Sequence, residues 1–395
     1  MRAVLIGWMT KQGNDVSFRT ELVDVRDNHR IWGEQYNNRQ LGNLLQVQEE
    51  ISREISDKLR LQLTSQEQQR LVRHDTQNSE AYQLYLRGRF YWNKFTEDGF
   101  HKSIEYFKQA VDKDPTYGLA YAGLAESNSL LGELSSAPPK ETFPLARIYA
   151  EKALKLDESL SEAHLSLGIV KLFYDWDVTG AEKELRRARE LDPNNPQAYH
   201  FYGHCLQFAG SLEEARNEFQ RGIQLDPTNL VLNAEFGWDD YILRRYDPAI
   251  AQYRKTLELD PNFVLASVWI AQAYEQQGKY PEALAELNRA RAIDSSWSWI
   301  TAEIGCVDAF LGKRAEAQKI IQELTERTAH EYIDPTEIAY IYVALGDKDH
   351  AFAVLEKGYQ ERAGNIPWVK MEPKFDPLRG DARFTDLLRR IGLPK

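Results

Sequence analysis

The chain is poor in cysteine and has no long hydrophobic run. Its only cysteines are Cys205 and Cys306, so a disulfide framework is excluded and a zinc cluster of cysteines is disfavoured. No apolar stretch approaches the roughly 18 residues that span a bilayer. The apolar residues 1–6 are interrupted at Gly7 and followed by polar residues, which is not typical of a signal peptide. We therefore expect a cytoplasmic protein without a membrane span.

Positive charge is also in deficit. The chain has 49 Lys and Arg against 60 Asp and Glu, and its formal net charge is −11. A nucleic-acid-binding surface needs a basic excess to neutralise phosphates, so we expect no nucleic acid partner. The acidic excess favours solubility and steers basic partners towards the surface.

Sequence motifs of catalysis are absent as well. There is no glycine-rich phosphate loop, no nucleophile elbow and no His-Glu-x-x-His helix. His200 and His204 stand four residues apart on one predicted helix, a spacing that suits metal ligation. No third ligand is visible nearby in the sequence, so groove polarity or packing is the preferred explanation. We expect neither catalysis nor a cofactor nor a metal site.

The dominant feature that is present is a 34-residue period. Leu-Asp-Pro turns recur at 191–193, 225–227 and 259–261, and a related Ile-Asp-Ser turn follows at 293–295. Four further columns keep the same period: the small residues Ala215, Ala249, Ala283, Ala317 and Ala351; the small residues Gly203, Gly237, Ala271, Gly305 and Ala339; the glycines Gly210, Gly278, Gly312 and Gly346, with Arg244 as the exception; and the large apolar residues Phe219, Tyr253, Leu287, Ile321 and Leu355.

These columns resemble the tetratricopeptide repeat, a helix-turn-helix unit of 34 residues. Small residues on both helices let the two axes approach closely, and the glycine ends the first helix in a left-handed conformation. The Asp-Pro pair ends the second helix, because the residue before proline is disfavoured in the helical region. The sequence predicts a mainly α fold: a right-handed superhelical solenoid of about eight such repeats over 79–363, regular from 196.

The two ends of the chain follow other patterns. Alternating apolar residues between turn clusters predict strands near 3–10, 15–25 and 30–36, and the spacing of Leu44, Val47, Ile51, Ile55 and Leu59 predicts a helix. Residues 1–75 should form a small α/β segment, which we expect to be the C-terminal part of a larger domain. Residues 364–395 should cap the array, since a solenoid needs its last apolar face covered. A docking motif for a partner is the alternative for this end.

The ends also carry a family resemblance. The N-terminal segment is similar to the end of a TolB-like amino-terminal domain that precedes tetratricopeptide arrays in bacterial serine/threonine kinases, winged-helix regulators and nucleotide cyclases. The resemblance implies a sensory or scaffolding region, while the kinase glycine-rich loop, His-Arg-Asp and Asp-Phe-Gly motifs are absent. It implies a periplasmic location as the alternative if the parent is membrane-anchored. The similar stretches are 19–24, 31–36, 47–51, 80–88, 375–379 and 383–394.

The concave face of such an array is the expected binding surface. First helices line this face in the family, and aromatic and arginine side chains are favoured interface anchors. We expect a non-catalytic scaffold that binds a protein or peptide, with a regulatory portion of a signalling kinase, cyclase or transcription regulator as the alternative. Homo-oligomers through the N-terminal segment are a further expectation. The candidate groove residues, for which packing between repeats is the competing explanation, are Tyr85, Arg89, Trp92, His200, His204, Gln207, Trp238, Tyr241, Gln272 and Glu275.

Overall fold

The N-terminal segment forms an antiparallel sheet. The structure is a computed structural model that describes residues 3–12, 15–24, 27, 29–40, 76–94 and 96–393. Strands β1 (Ala3–Gln12), β2 (Asp15–Asp24) and β3 (His29–Gln40) pair in the order β1-β2-β3. Register shifts interrupt the β2–β3 pairing between Val16 and Phe18 and between Leu22 and Val23. The three predicted strands are confirmed, and the predicted helix over 44–59 lies outside the described residues.

Eight helical hairpins follow in the described part of the chain, as the period predicts. Each hairpin packs its two helices together and against the next hairpin. One first helix, α5, continues as a π-helical turn over Val170–Asp175. The hairpins are α1–α2 (Ser79–Trp92, Glu97–Lys113), α3–α4 (Gly118–Glu133, Pro139–Leu156), α5–α6 (Ser161–Ile169, Val178–Leu191), α7–α8 (Pro196–Ala209, Leu212–Leu225), α9–α10 (Leu230–Ile242, Tyr246–Leu259), α11–α12 (Val264–Gln276, Tyr280–Ile293), α13–α14 (Ser298–Phe310, Arg314–Arg327) and α15–α16 (Pro335–Ala344, Lys348–Glu361).

The small and large columns of the period meet inside each hairpin. A Cβ added at Gly203 would lie 2.4 Å from the ring of Phe219, and one at Gly237 would lie 2.7 Å from the ring of Tyr253. Both aromatic rings are fully buried. The small residue of the first helix therefore makes room for the large residue of the second, which fixes the separation of the two helices.

The turn between hairpins is held by its aspartate. The Asp226 carboxylate accepts hydrogen bonds from the backbone N–H and the hydroxyl of Thr228, and the Asp260 carboxylate accepts one from the Asn262 N–H. Such side-chain-to-backbone bonds replace the continuing helix with a turn. The Leu-Asp-Pro period is thus a period of helix ends.

The C-terminal segment divides into two parts, where the sequence analysis treated 364–395 as one cap. Helix α17 (Ala382–Ile391) buries Phe384, Leu387 and Ile391 in the core of the last hairpins. Before it, two short 3-10 helices, Ile366–Lys370 and Pro373–Leu378, run along the concave side of the array. We call residues 366–378 the inner segment.

The array also closes on itself. The Ser135 hydroxyl, in the loop of the second hairpin, donates to the Asp334 carboxylate at the start of the eighth, at 2.9 Å. A Cβ on Gly364 would lie 2.9 Å from the carbonyl oxygen of Gly132, so only glycine allows this approach. The Arg362 guanidinium lies 3.9 Å from the ring centroid of Trp176. Early and late hairpins therefore meet around the inner segment.

Candidate functional site

The inner segment is anchored by an aromatic side chain. The indole of Trp368 lies 4.6 Å from the ring centroid of Phe208, 5.0 Å from that of His204 and 6.0 Å from that of Trp238. These rings come from α7 and α9, the first helices of two consecutive hairpins. Edge-to-face contacts at such distances stabilise by about 0.5–1.5 kcal/mol each beyond the area they bury. Trp368 thereby joins two repeats from the concave side.

A second anchor of the inner segment is electrostatic. The Lys374 ammonium is buried between the carboxylates of Glu275, at 3.1 Å, and Glu303. Burial by itself would lower the pKa of Lys374, but the attraction of Glu275 and Glu303 outweighs it and raises that pKa well above its ordinary value. Burial raises the pKa of Glu275 to about 8 in spite of the nearby ammonium. The ammonium is therefore the counterion that keeps this buried pair of acids compatible with the fold.

Two further polar contacts hold the same segment. The Tyr241 hydroxyl donates to Glu372 at 2.7 Å, and Glu372 also accepts from the backbone N–H of Lys374. The guanidinium of Arg244 forms a bidentate pair with Asp376 at 2.6 and 2.8 Å. The inner segment thus contacts α9, α11, α13 and the end of α9 through different chemistry at each step.

A chain of polar side chains lies beneath Trp368. Gln207 accepts from Nδ1 of His204 at 2.9 Å and donates to the Asp239 carboxylate at 2.7 Å. His204 Nε2 and His200 Nε2 lie 3.7 and 3.8 Å from the Glu235 carboxylate. Burial lowers the pKa of His200 to about 3 and that of His204 to about 4, so both rings are neutral at pH 7.

The predicted groove residues of the middle repeats lie along the inner side of the array. His204, Trp238, Tyr241 and Glu275 contact the inner segment directly. Gln272 instead donates to Glu303 at 2.8 Å. His200 and Gln207 belong to the polar chain beneath Trp368. Their role in binding a partner remains a prediction, since these positions are buried by the chain's own residues.

The predicted residues of the first repeat are placed differently. The Tyr85 ring lies 5.2 Å from Tyr117 and 5.6 Å from Phe107, so it packs between neighbouring helices. Arg89 pairs with Glu126 of the next hairpin at 2.5 Å, and its guanidinium lies 4.3 Å from the Trp92 ring centroid. These side chains link the first repeat to the second.

The sequence analysis missed one inward column. Glu235, Trp269, Glu303 and Glu337 are separated by 34 residues and are all buried. Each lies three residues before a predicted or inward position such as Trp238 and therefore on the same helix face. Periodicity could have found this column. It could not have found Trp368 or Lys374, which lie outside the repeat.

Carboxyl groups make the inner side acidic. Burial raises the pKa of Glu126 and Glu235 to about 7, and that of Asp239 to about 7 with Gln207 opposing the shift. The pKa of Glu337 rises to about 8, through burial first and then Asp334. Acids from α3, α9, α11, α13 and α15 thus favour basic groups on this face.

The fold and this face together define a class of protein. Eight stacked hairpins with inner helices around an extended segment form an α-solenoid of helical repeats. Residues 175–234, 235–296 and 336–364 match the Tetratricopeptide repeat family. The chain is a tetratricopeptide-repeat protein. In the part that the structure describes, every helix is too short or too polar to cross a membrane.

Relatives of this chain include signalling proteins. A putative adenylate cyclase 3 from Rhizobium meliloti (strain 1021) is 27% identical over 171 residues, which are 43% of this chain and 29% of the relative. The transcriptional regulator HilA from Salmonella typhimurium is 26% identical over 136 residues, 34% of this chain and 24% of the relative. The chain thus matches less than a third of the length of either relative.

A solved structure shares the fold over a longer stretch. A chain of the APC/C hetero-tetramer Cut9-Hcn1 superposes with a TM-score of 0.50 at 15% identity. The match covers 79% of this chain and 55% of the other. At this level of identity the likeness concerns the helical array alone.

Proposed function

We propose that the concave face binds an extended segment of a protein partner, and that it acts by binding rather than by catalysis. The observation that carries the proposal is the inner segment itself. Thirteen residues with little regular structure are held there by an indole, an ammonium and a phenol–carboxylate hydrogen bond. A face that accommodates an extended peptide of its own chain has the shape and chemistry to accommodate another.

The contacts indicate what the partner should contain. Trp368 occupies the aromatic site between α7 and α9, and Lys374 occupies the acidic site between α11 and α13. A partner segment should therefore present an aromatic side chain followed, within one turn or two, by Lys or Arg. It competes with the inner segment, so the resting chain is a closed form and the bound chain an open one.

Competition in trans tests this proposal. A labelled peptide of residues 363–380 is titrated against the wild-type chain and against a chain with Trp368→Ala and Lys374→Ala, with binding read by fluorescence anisotropy. We expect at least tenfold tighter binding to the substituted chain, because its own segment competes less. Circular dichroism establishes that the substituted chain keeps its helices.

The matched control is the same peptide with both anchors replaced by alanine. It should bind neither chain. Equal affinity of the two peptides, or equal affinity of the two chains for the native peptide, would exclude recognition through these anchors.

A second function is favoured by the relatives. The matches to a putative adenylate cyclase and to a transcriptional regulator support a role as the regulatory or sensory portion of a bacterial signalling protein. Sequencing the DNA upstream of the Met1 codon tests it: an in-frame kinase, cyclase or winged-helix region is the expected result. A stop codon followed by an unrelated gene would count against this role. Such a parent would also decide between the cytoplasm and the periplasm.

Self-association through the sheet is a separate proposal. Ile6, Trp8 and Ile31 of the N-terminal strands are more than a third exposed, at 38%, 47% and 49%. Apolar side chains on a small sheet favour burial against another surface. Sedimentation of the wild-type chain and of a Trp8→Glu, Ile31→Glu variant should show a dimer only for the former.

A further inference from the structure

Two buried atoms in the polar chain beneath Trp368 have no hydrogen-bond partner. They are Nε2 of His200 on α7 and Oε2 of Glu235 on α9. A buried acceptor left unpaired costs about 1–3 kcal/mol, so unpaired groups that face each other call for an explanation. Nε2 of His204, one helical turn from His200, faces the same carboxylate.

The distances are too long for hydrogen bonds and suit a shared ion. Glu235 Oε1 lies 3.8 Å from Nε2 of His200 and 3.7 Å from Nε2 of His204. One ligand atom of each of the three residues lies within 4.8 Å of the others. Ligand atoms around a tetrahedral zinc ion with bonds of 2.0–2.2 Å are about 3.4 Å apart. A contraction of a few tenths of an ångström would bring the three atoms into coordination.

The second nitrogen of each imidazole is already oriented. Gln207 donates its amide to Asp239, so its carbonyl oxygen faces His204 and must accept from Nδ1–H. That leaves a lone pair on Nε2 of His204, directed towards Glu235. Nδ1 of His200 lies 3.3 Å from Oε1 of Gln197. Metal-binding histidines have this arrangement, in which the outer hydrogen bond fixes the tautomer and ring orientation.

A neighbouring group of potential ligands shows what a filled site looks like. Glu275, Glu303 and Cys306 also bring ligand atoms within 4.8 Å of one another, but there the Lys374 ammonium provides the positive charge. Among the described residues, the ion-pair contacts of Glu235 are with the two neutral imidazoles alone. The histidine cluster therefore has the ligands for a cation without a protein cation.

We propose that His200, His204 and Glu235 form a site for a divalent transition metal, with Zn²⁺ the ion whose preferences fit best. Two imidazole nitrogens and one carboxylate oxygen are a donor set that zinc favours over Mg²⁺ or Ca²⁺. The fourth position faces the groove side, where Trp368 covers His204. Bound metal would fasten α7 to α9, two helices that line the concave face. This site is independent of peptide binding there.

Metal titration of the full-length chain tests the site. The protein is stripped with a chelator, titrated with ZnCl₂ by calorimetry, and loaded with Co²⁺ for electronic absorption spectroscopy. We expect one ion per chain and a tetrahedral Co²⁺ spectrum with nitrogen ligation. Glu235→Gln and His204→Gln should each weaken zinc binding at least tenfold, and Gln207→Ala should weaken it by 10–100-fold through loss of the outer hydrogen bond.

A matched control is His164→Gln. His164 also contacts a carboxylate, Glu184 at 2.8 Å, but lies away from the cluster, so zinc affinity should not change. Thermal unfolding without metal checks that each variant folds. Less than one zinc per chain, an octahedral Co²⁺ spectrum, or wild-type affinity in the Glu235→Gln, His204→Gln double variant would overturn the proposal. The first two results require no variant.

Discussion

Lys374 decides whether two buried acids are tolerated. Replacing it by methionine keeps its apolar stem but leaves Glu275 and Glu303 buried without a cation. Removing one partner of a buried ion pair costs about 3–5 kcal/mol, and we expect Lys374→Met to lower the free energy of unfolding by that amount at pH 8. Urea unfolding followed by circular dichroism measures it. The control Lys102→Met removes an exposed pair with Asp98 and should change stability by less than about 1 kcal/mol.

The same substitution should make stability depend on pH. Burial already raises the pKa of Glu275 to about 8, and without the ammonium the pKa should rise further. A carboxyl group whose folded pKa exceeds its unfolded value keeps its proton better in the folded state, so stability falls as pH rises from about 4.5 towards 8. Unfolding at pH 5.5 and pH 8 should show a larger loss for Lys374→Met than for the wild type. Parallel pH profiles would contradict this.

At the level of elements, the ends of the first helices combine a repeated conformation with exceptions. Gly210, Gly278, Gly312 and Gly346 all have positive φ, between 72° and 88°. Arg244 and Trp176 stand in the same 34-residue column with φ of 60° and 61°. Left-handed backbone costs a non-glycine residue roughly 1 kcal/mol. Both exceptions direct their side chains to the C-terminal region, Arg244 to Asp376 and Trp176 to Arg362.

Replacing Arg244 by glycine should therefore separate the array from its segment. Relief of the left-handed strain and loss of an exposed ion pair are each about 1 kcal/mol or less, so global stability should change little. Hydrogen exchange within 370–380 should nevertheless become faster, because Asp376 loses its bidentate partner. Gly278→Ala is the control: it should lower stability by about 1 kcal/mol and leave exchange within 370–380 unchanged.

The helical elements were predictable because each repeat states its boundaries locally. The Asp-Pro turns, the small–large pairs and the left-handed column recur every 34 residues, and the eight hairpins follow from them. The course of the inner segment was not predictable, since Pro367, Pro373 and Pro377 remove helical periodicity without indicating a partner surface. Its contacts, such as Trp368 with Phe208, join positions far apart in the chain. Glu235 escaped notice as a third ligand because it lies on another hairpin.

At the level of the whole molecule, the inner segment lies where early and late repeats meet. Trp368 contacts α7 and α9, Lys374 contacts α11 and α13, and Phe375 lies 5.0 Å from Tyr340 on α15. The segment thus joins the inner sides of five consecutive hairpins. Repeats in a solenoid otherwise contact only their neighbours, so such cross-links should limit how far the superhelix can open.

Two truncations test this role of the inner segment. Ending the chain after Gly380 removes α17 alone and should lower the thermal midpoint, because Phe384, Leu387 and Ile391 leave an apolar face exposed. Ending it after Ala363 removes the inner segment as well and should also raise the radius of gyration measured by small-angle scattering. It leaves Glu275 and Glu303 without Lys374, so the acids should repel and widen the concave face. Adding the 363–380 peptide should reverse part of the expansion. Identical scattering from the two truncated chains would mean that contacts such as Ser135 with Asp334 hold the curvature without the segment.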